Sequence, residues 1–319
     1  MVSGYDQIAY GRKNVPVKSQ TGRRNNKNGS IFRIQFFLVY HMKKLLVTGG
    51  HGVLGTYLPS LYSTAVCIVP THEQMPVEHE VLVKKYITYV QPDVVLHMAA
   101  LTDVDYCEKH PQKAYDVNVQ GTINMVKMCA LYHIPLIYIS TAAVFDGGKD
   151  CFSEDDTPRP VNIYGETKFK SEQIVSTSGI EHLIVRIGWL VGGGKSEKKF
   201  VSYILEKLKK GADVHAVSDI YGSLIYAPDV LSFIRQALEE RLAGIYHLGY
   251  TGTPSRYDIA VALKNMLQST SSVIPVPGLA FQKTFSARRP KREVLVSRKK
   301  PFSVHWKERL QQYVTEELL

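Results

Sequence analysis

Short apolar runs recur along the chain, each followed by a stretch with helical spacing or turn residues. Leu45-Leu46-Val47-Thr48, Ala65 to Val69, Asp93-Val94-Val95-Leu96-His97, Leu136-Ile137-Tyr138-Ile139-Ser140 and Leu183-Ile184-Val185-Arg186 lack polar alternation. Short runs without alternation predict strands buried on both faces. A helix is expected from about Val53, with Pro59 shortening or kinking it beyond its first turn. Val77 to Val90, Pro111 to Tyr132 and Asn162 to Val175 read as helices, and Pro111 stands near a helix start, where proline is tolerated. Strands alternating with helices predict an α/β fold, a doubly wound parallel sheet, over residues 42–187.

After Gly188 the alternation loosens. A basic amphipathic helix (Lys198 to Lys210), a helix from Pro228 to Glu240 and a strand at Gly244-Ile245-Tyr246-His247-Leu248 follow. Ser255-Arg256-Tyr257-Asp258 has the form of a capping box ahead of an apolar run. Residues 188–319 are therefore expected to form a smaller lobe that closes over the carboxyl ends of the strands, with some strands returning to the sheet.

Charge changes this picture only at the ends. The chain has 319 residues and a net charge of +10, but residues 1–41 hold seven Lys and Arg against one acid, leaving +4 for the rest. A mildly basic body argues against a nucleic-acid partner. The first 41 residues lack periodicity and read as a disordered basic tail. Met42-Lys43-Lys44 before an apolar strand looks like a natural start, which makes the tail an extended start; a transit peptide is the alternative. No run reaches the length of a membrane span, since Ile31 to Tyr40 is broken by Arg33 and Gln35. Cys67, Cys107, Cys129 and Cys151 show no Cys-x-x-Cys spacing and read as reduced thiols of a cytoplasmic protein, not a zinc site. A second basic cluster, Arg288 to Lys300, reads equally as an anion-facing patch or a solvated loop.

Three motifs carry chemistry. Gly49-x-x-Gly52-x-x-Gly55, with Val53 and Leu54 inside it, follows a strand and opens a helix. Small residues there let the backbone approach a pyrophosphate, whose charge the helix N-terminus stabilises. The second motif ends the fourth strand, where the hydroxyls of Thr141 and Ser140 can bond a carbonyl. The third is Tyr164 with Lys168, one helical turn apart, about 6 Å along the axis. A nearby ammonium favours phenolate, so the lysine is expected to pull the tyrosine from about 10 toward working pH. That suits an acid that protonates a carbonyl oxygen as hydride arrives at carbon. At the end of the second strand, Thr71 and His72 suit a 2′-phosphate and Glu73 suits a ribose hydroxyl, so NADP(H) and NAD(H) both stay open.

These segments together resemble the extended short-chain dehydrogenases/reductases, and within them the dTDP-4-dehydrorhamnose reductase family of nucleotide-sugar reductases. Pro92 to Glu108, Asp116 to Thr122, Pro160 to Lys168, Arg186-Ile187-Gly188-Trp189 and Ala287-Arg288-Arg289-Pro290 carry the resemblance beside the glycine loop. It implies a Rossmann-like domain with Tyr164 as proton donor, Lys168 as ribose binder and Thr141 as carbonyl partner. Ala99, Ala100, Thr102 and Asn118 would line the cofactor; Trp189, Arg288 and Ser140 would meet the substrate. The implied reaction is NAD(P)H-dependent reduction of dTDP-4-dehydro-L-rhamnose to dTDP-L-rhamnose, for polysaccharide synthesis. A homodimer is compatible with the resemblance, and a Mg2+ requirement is not derivable from these residues.

The departures fall on the substrate side. Ala142 and Ala143 replace an Asp-Tyr pair that reaches toward substrate in the family, and locally resemble the nucleotide-sugar epimerases. Pro76 stands where an acid is usual, Gly222-Ser223-Leu224-Ile225 replaces Gly-x-Pro-Thr, and Arg292 replaces an Asn. Two other readings are therefore carried forward. One is an epimerase or dehydratase; the other is a non-catalytic partner resembling the regulatory β-subunit of methionine adenosyltransferase.

Overall fold

Leu45 and Val47 pack into one hydrophobic cluster and Leu46 into another, so the first apolar run is buried on both faces. It forms β1 (Lys44–Thr48). The computed structural model describes residues 44–61, 66–194, 200–281 and 285–319. The expectations placed on residues 1–41, Ala65 and Lys198 lie outside the described residues.

The strands in chain order are β1, β2 (Val66–Ile68), β3 (Val94–His97), β4 (Leu136–Thr141), β5 (His182–Ile187), β6 (Trp189–Val191), β7 (Val214–Val217), β8 (Tyr221–Gly222), β9 (Leu224–Tyr226), β10 (Gly244–Leu248), β11 (Val273–Val276) and β12 (Arg292–Glu293). Six of them form one parallel sheet in the order β10-β5-β4-β3-β1-β2. The chain leaves β1 in opposite directions to reach β2 and β3, and that reversal opens a crevice at the carboxyl ends, where doubly wound sheets bind ligands. The remaining strands make two-stranded parallel ladders: β6 with β9, β7 with β11 and β8 with β12.

The longer helices are α1 (Glu80–Val90), α2 (Gly121–Tyr132), α3 (Ile163–Ser176), α4 (Phe200–Lys209), α5 (Ala227–Glu240), α6 (Arg256–Leu267) and α7 (Trp306–Tyr313). Residues of α1 and α2 pack on the Leu46 face, and residues of α4 to α7 on the Leu45 and Val47 face. The predicted capping box starts α6: Asp258 N–H donates to Ser255 Oγ at 3.1 Å, and Ser255 N–H donates to Asp258 Oδ2 at 2.8 Å.

Three helices differ from their periodicity. The one expected from Val53 is only a 3-10 turn (Leu54–Tyr57) and one short helical turn (Leu58–Leu61), as Pro59 foreshadows. The one expected from Val77 begins at Glu80. The long helix from Pro111 is interrupted by a wider π turn, Tyr115–Gln120, before α2. Such turns recur at functional sites, and this one carries Asn118.

A buried ion pair fastens the sheet to α3. Arg186 on β5 donates to Glu172 through Nε at 2.9 Å and Nη2 at 2.6 Å. His247 on β10 accepts from Arg186 Nη1 at 3.1 Å through Nε2, so its Nδ1 holds the proton and donates to the Phe152 carbonyl at 3.1 Å. Burial and the Arg186 charge push His247 down to about 4, which keeps it neutral. The basic cluster Arg288 to Lys300 is largely matched by acids: Arg289 with Asp105, Arg292 with Asp150, Arg298 with Asp155 and Lys300 with Glu240.

Candidate active site

At the carboxyl ends of β1, β3 and β4 the crevice widens into a cleft of about 890 Å3. One wall is the glycine loop. Gly49 has φ +68°, and a Cβ there would meet Ala99 N at 2.6 Å; at Gly55 a Cβ would meet Gly50 O at 1.6 Å. Both positions exclude side chains for reasons internal to the fold. Gly52 differs: an added Cβ would touch only Gly49 O, at 3.4 Å. Its backbone is open to the cleft it lines.

The opposite wall is the turn after β3, held by a buried relay. Thr122 Oγ1–H donates to Asn118 O at 2.6 Å, so it accepts from His97 Nε2 at 3.2 Å. His97 Nδ1 then accepts from Thr48 Oγ1–H at 2.6 Å, and Thr48 Oγ1 accepts from Met98 and Ala99 N–H, each at 3.2 Å. Burial, helped by the Lys168 charge, pushes His97 down to about 3, so this brace stays neutral. Asn118 clamps the turn two residues on: it accepts from Leu101 N–H at 2.7 Å and donates to Leu101 O at 3.1 Å and Thr167 Oγ1 at 2.9 Å. Asn118 thus sits behind the wall and ties it to α3.

Asn162 caps α3, accepting from Gly165 N–H at 2.8 Å. This places Tyr164 in the first turn and Lys168 one turn on, both in the cleft with Ser140 and Thr141. Thr141 Oγ1 accepts from Ala143 N–H at 3.2 Å, and the Thr141 hydroxyl favours the charged form of Tyr164. Burial raises Tyr164 to about 12, partly opposed by the Thr141 hydroxyl. The expected lowering by Lys168 is absent. Lys168 Nζ donates to the Ile139 carbonyl at 2.7 Å and lies 4.0 Å over the Tyr138 ring. Burial pushes Lys168 itself down to about 7. Loss of water is the largest influence on both groups.

Of the residues singled out in the sequence, Gly49, Gly52, Val53, Leu54, Ala99, Ala100, Thr102, Ser140, Thr141, Tyr164 and Lys168 meet in this cleft, with Thr71 and His72 at one end. Gly55 and Asn118 support it from behind. Trp189 and Arg288 do not line it. Arg288 is exposed, although its carbonyl accepts from Asn162 Nδ2 at 2.8 Å. Trp189 donates from Nε1 to Glu293 at 2.8 Å, under the Arg256 guanidinium. Ala142 and Ala143 are buried, and Ala142 packs among Val144, Phe145, Phe152 and Leu295.

Sequence reasoning missed His97, whose only signal is a polar residue closing an apolar strand. It also missed Asp105, which receives Ala287 N–H at 2.9 Å and Arg289 Nη2 at 2.8 Å and so ties the Arg-Arg-Pro loop to the cleft mouth. Glu293 and Arg256 carried no signal, because only the folded chain brings them to Trp189.

A nicotinamide dinucleotide fits these residues. Gly52 leaves backbone open for a pyrophosphate, and Ser140 Oγ is buried without a hydrogen-bond partner among the described residues. Residues 42–319 match the family described as the RmlD substrate binding domain. A spore coat polysaccharide biosynthesis protein, SpsK, of Bacillus subtilis (strain 168) is 31% identical over 284 residues, 86% of this chain and 98% of its own. The methionine adenosyltransferase 2 subunit beta of Mus musculus is 29% identical, covering 84% of this chain and 87% of its own. The solved dTDP-4-dehydrorhamnose reductase of Yersinia enterocolitica is 37% identical with a TM-score of 0.80, over 86% of this chain and 99% of that one. That of Bacillus anthracis str. Ames, in complex with NADP, is 28% identical with a TM-score of 0.81, over the same shares. The chain belongs to the RmlD substrate binding domain family, as a Rossmann-fold extended short-chain dehydrogenase/reductase of the NAD(P)-dependent oxidoreductase class.

Proposed function

We propose that the chain reduces the C4 ketone of a nucleotide-linked 4-keto-6-deoxy sugar, taking dTDP-4-dehydro-L-rhamnose to dTDP-L-rhamnose. The observation that carries this reading is the meeting of Tyr164, Thr141 and the glycine loop in one cleft. Bound NADPH supplies the hydride that such a reduction consumes. Gly49, Gly52 and Val53 would hold its pyrophosphate, Ala99 to Thr102 its flank and Lys168 its ribose.

The chain's own contribution is the proton. With its hydroxyl held near 12, Tyr164 is protonated at neutral pH and can give that proton to O4 as negative charge develops there. Thr141 lines the cleft with Tyr164 and would donate to O4, where the charge is greatest. The names of SpsK and the two solved reductases support a polysaccharide precursor as the substrate.

Ala142 and Ala143 favour a second reading. Buried methyl groups stand where the family places polar substrate contacts, and the likeness to a methionine adenosyltransferase regulatory subunit spans most of the chain. In that reading the chain binds cofactor and serves a partner.

The full chain mixed with NADPH and dTDP-4-dehydro-L-rhamnose separates the cases. One NADPH oxidised per dTDP-L-rhamnose formed is the expected result. Sugar conversion without net oxidation would indicate an epimerase. NADPH binding with no turnover of dTDP-, UDP- or GDP-linked 4-keto sugars would favour the regulatory reading.

A further inference from the structure

Beyond Tyr164, β6, β12 and the start of α6 converge on one polar cluster. The Trp189 indole lies against Gly222, where an added Cβ would meet the ring at 2.4 Å, so a glycine is required for the ring to rest there. Trp189 Nε1–H donates to Glu293 Oε2 at 2.8 Å. The Arg256 guanidinium stands 4.5 Å over Trp189 and 4.4 Å over Phe200. It adds positive charge beside Glu293 without hydrogen-bonding it.

Glu293 is half-buried, and its other oxygen, Oε1, makes no hydrogen bond or ion pair with the described residues. A carboxylate fixed by one oxygen and open at the other is an acceptor awaiting a donor. Burial pushes the Glu293 carboxyl up, while Trp189, Arg256 and Arg289 oppose that and favour its charge. Gly188 and Leu190, on either side of Trp189, line the cleft with Tyr164, which sets this cluster at the border of the site. A phosphate at this position would be repelled by it; a hydroxyl would not.

We infer that Glu293 determines sugar specificity: Oε1 accepts a hydrogen bond from a hydroxyl of the sugar held against Tyr164, with Trp189 fixing the carboxylate. This rests on the nucleotide-sugar reading of the site, but not on which reaction follows. Arg256 is a positioning residue, acting through Glu293.

Calorimetric titration of the full chain with NADPH present tests this without turnover, because the sugars used carry no ketone for it to reduce. The probes are dTDP, UDP and GDP, each compared with dTDP-L-rhamnose, UDP-glucose or GDP-mannose. In the wild type at least one sugar should tighten binding over its bare nucleotide. Glu293→Gln keeps the shape and the indole bond but removes the charge. It should cut the sugar's share of affinity about tenfold, and Glu293→Ala about tenfold or more. Bare nucleotide and NADPH affinities should stay within about twofold, which also reports that the variants fold. The inference is overturned if no sugar adds affinity in the wild type, or if the sugar's share survives both substitutions. Failure to oxidise NADPH with a 4-keto sugar contradicts the reductase reading and leaves this titration decisive.

Discussion

Tyr164 and Lys168 share a helix face as their spacing requires, yet each feels a different neighbourhood. Water is withdrawn from both, so the phenol holds its proton more tightly and the amine less. The pair was legible in the sequence; its electrostatics were not, because desolvation depends on β4 and the turn after β3 packing around it. A stability prediction follows from the sign of the Lys168 shift. Its folded value, about 7, lies below the value of a free lysine, so the unfolded chain binds that proton more tightly. The cost to stability is full below pH 7 and fades as pH rises toward about 10. Lys168→Met should therefore raise the melting temperature more at pH 6 than at pH 9.5, read by scanning calorimetry. A shift of the same size at both would show that its charge carries no such cost.

At the scale of elements, the glycine loop shows which part of a motif serves the fold and which serves a ligand. The pattern Gly49-x-x-Gly52-x-x-Gly55 treats its glycines alike, but only the first and last are barred from carrying a side chain by protein atoms. Gly55→Ala should lower the melting temperature sharply, since its Cβ would fall on a backbone carbonyl. Gly52→Ala should leave melting within a few degrees and weaken NADPH binding tenfold or more, about 1.4 kcal/mol, by fluorescence titration. Unchanged NADPH affinity would remove this loop from the cofactor site. The strands of the large sheet and the α6 cap were readable because each depends on local residues. The π turn at Tyr115–Gln120 was not, because it accompanies long-range bonds from Asn118 to Leu101 and Thr167.

Across the whole molecule, the sheet order and the cleft position follow from strands that the hydrophobic pattern already marks. What the pattern does not mark is how distant segments close the site. Arg186 reads as a strand residue, but it joins β5, α3 and β10 through Glu172 and His247. Removing one partner leaves an uncompensated buried charge, so Arg186→Met should cost about 3–5 kcal/mol in urea unfolding. A cost under about 1 kcal/mol would place the pair among weak surface contacts. The Arg288 to Lys300 cluster reads equally as an anion patch or a solvated loop, and the fold spends much of it on ion pairs with Asp105, Asp150, Asp155 and Glu240.

The central claim is that Tyr164 delivers a proton to a sugar ketone in this cleft. The most direct measurement is single-turnover NADPH oxidation with dTDP-4-dehydro-L-rhamnose, comparing the wild type with Tyr164→Phe. The account predicts stoichiometric dTDP-L-rhamnose from the wild type. In the variant it predicts a rate lower by a factor of about 100 or more, with NADPH affinity unchanged. Equal rates in the two proteins would contradict it.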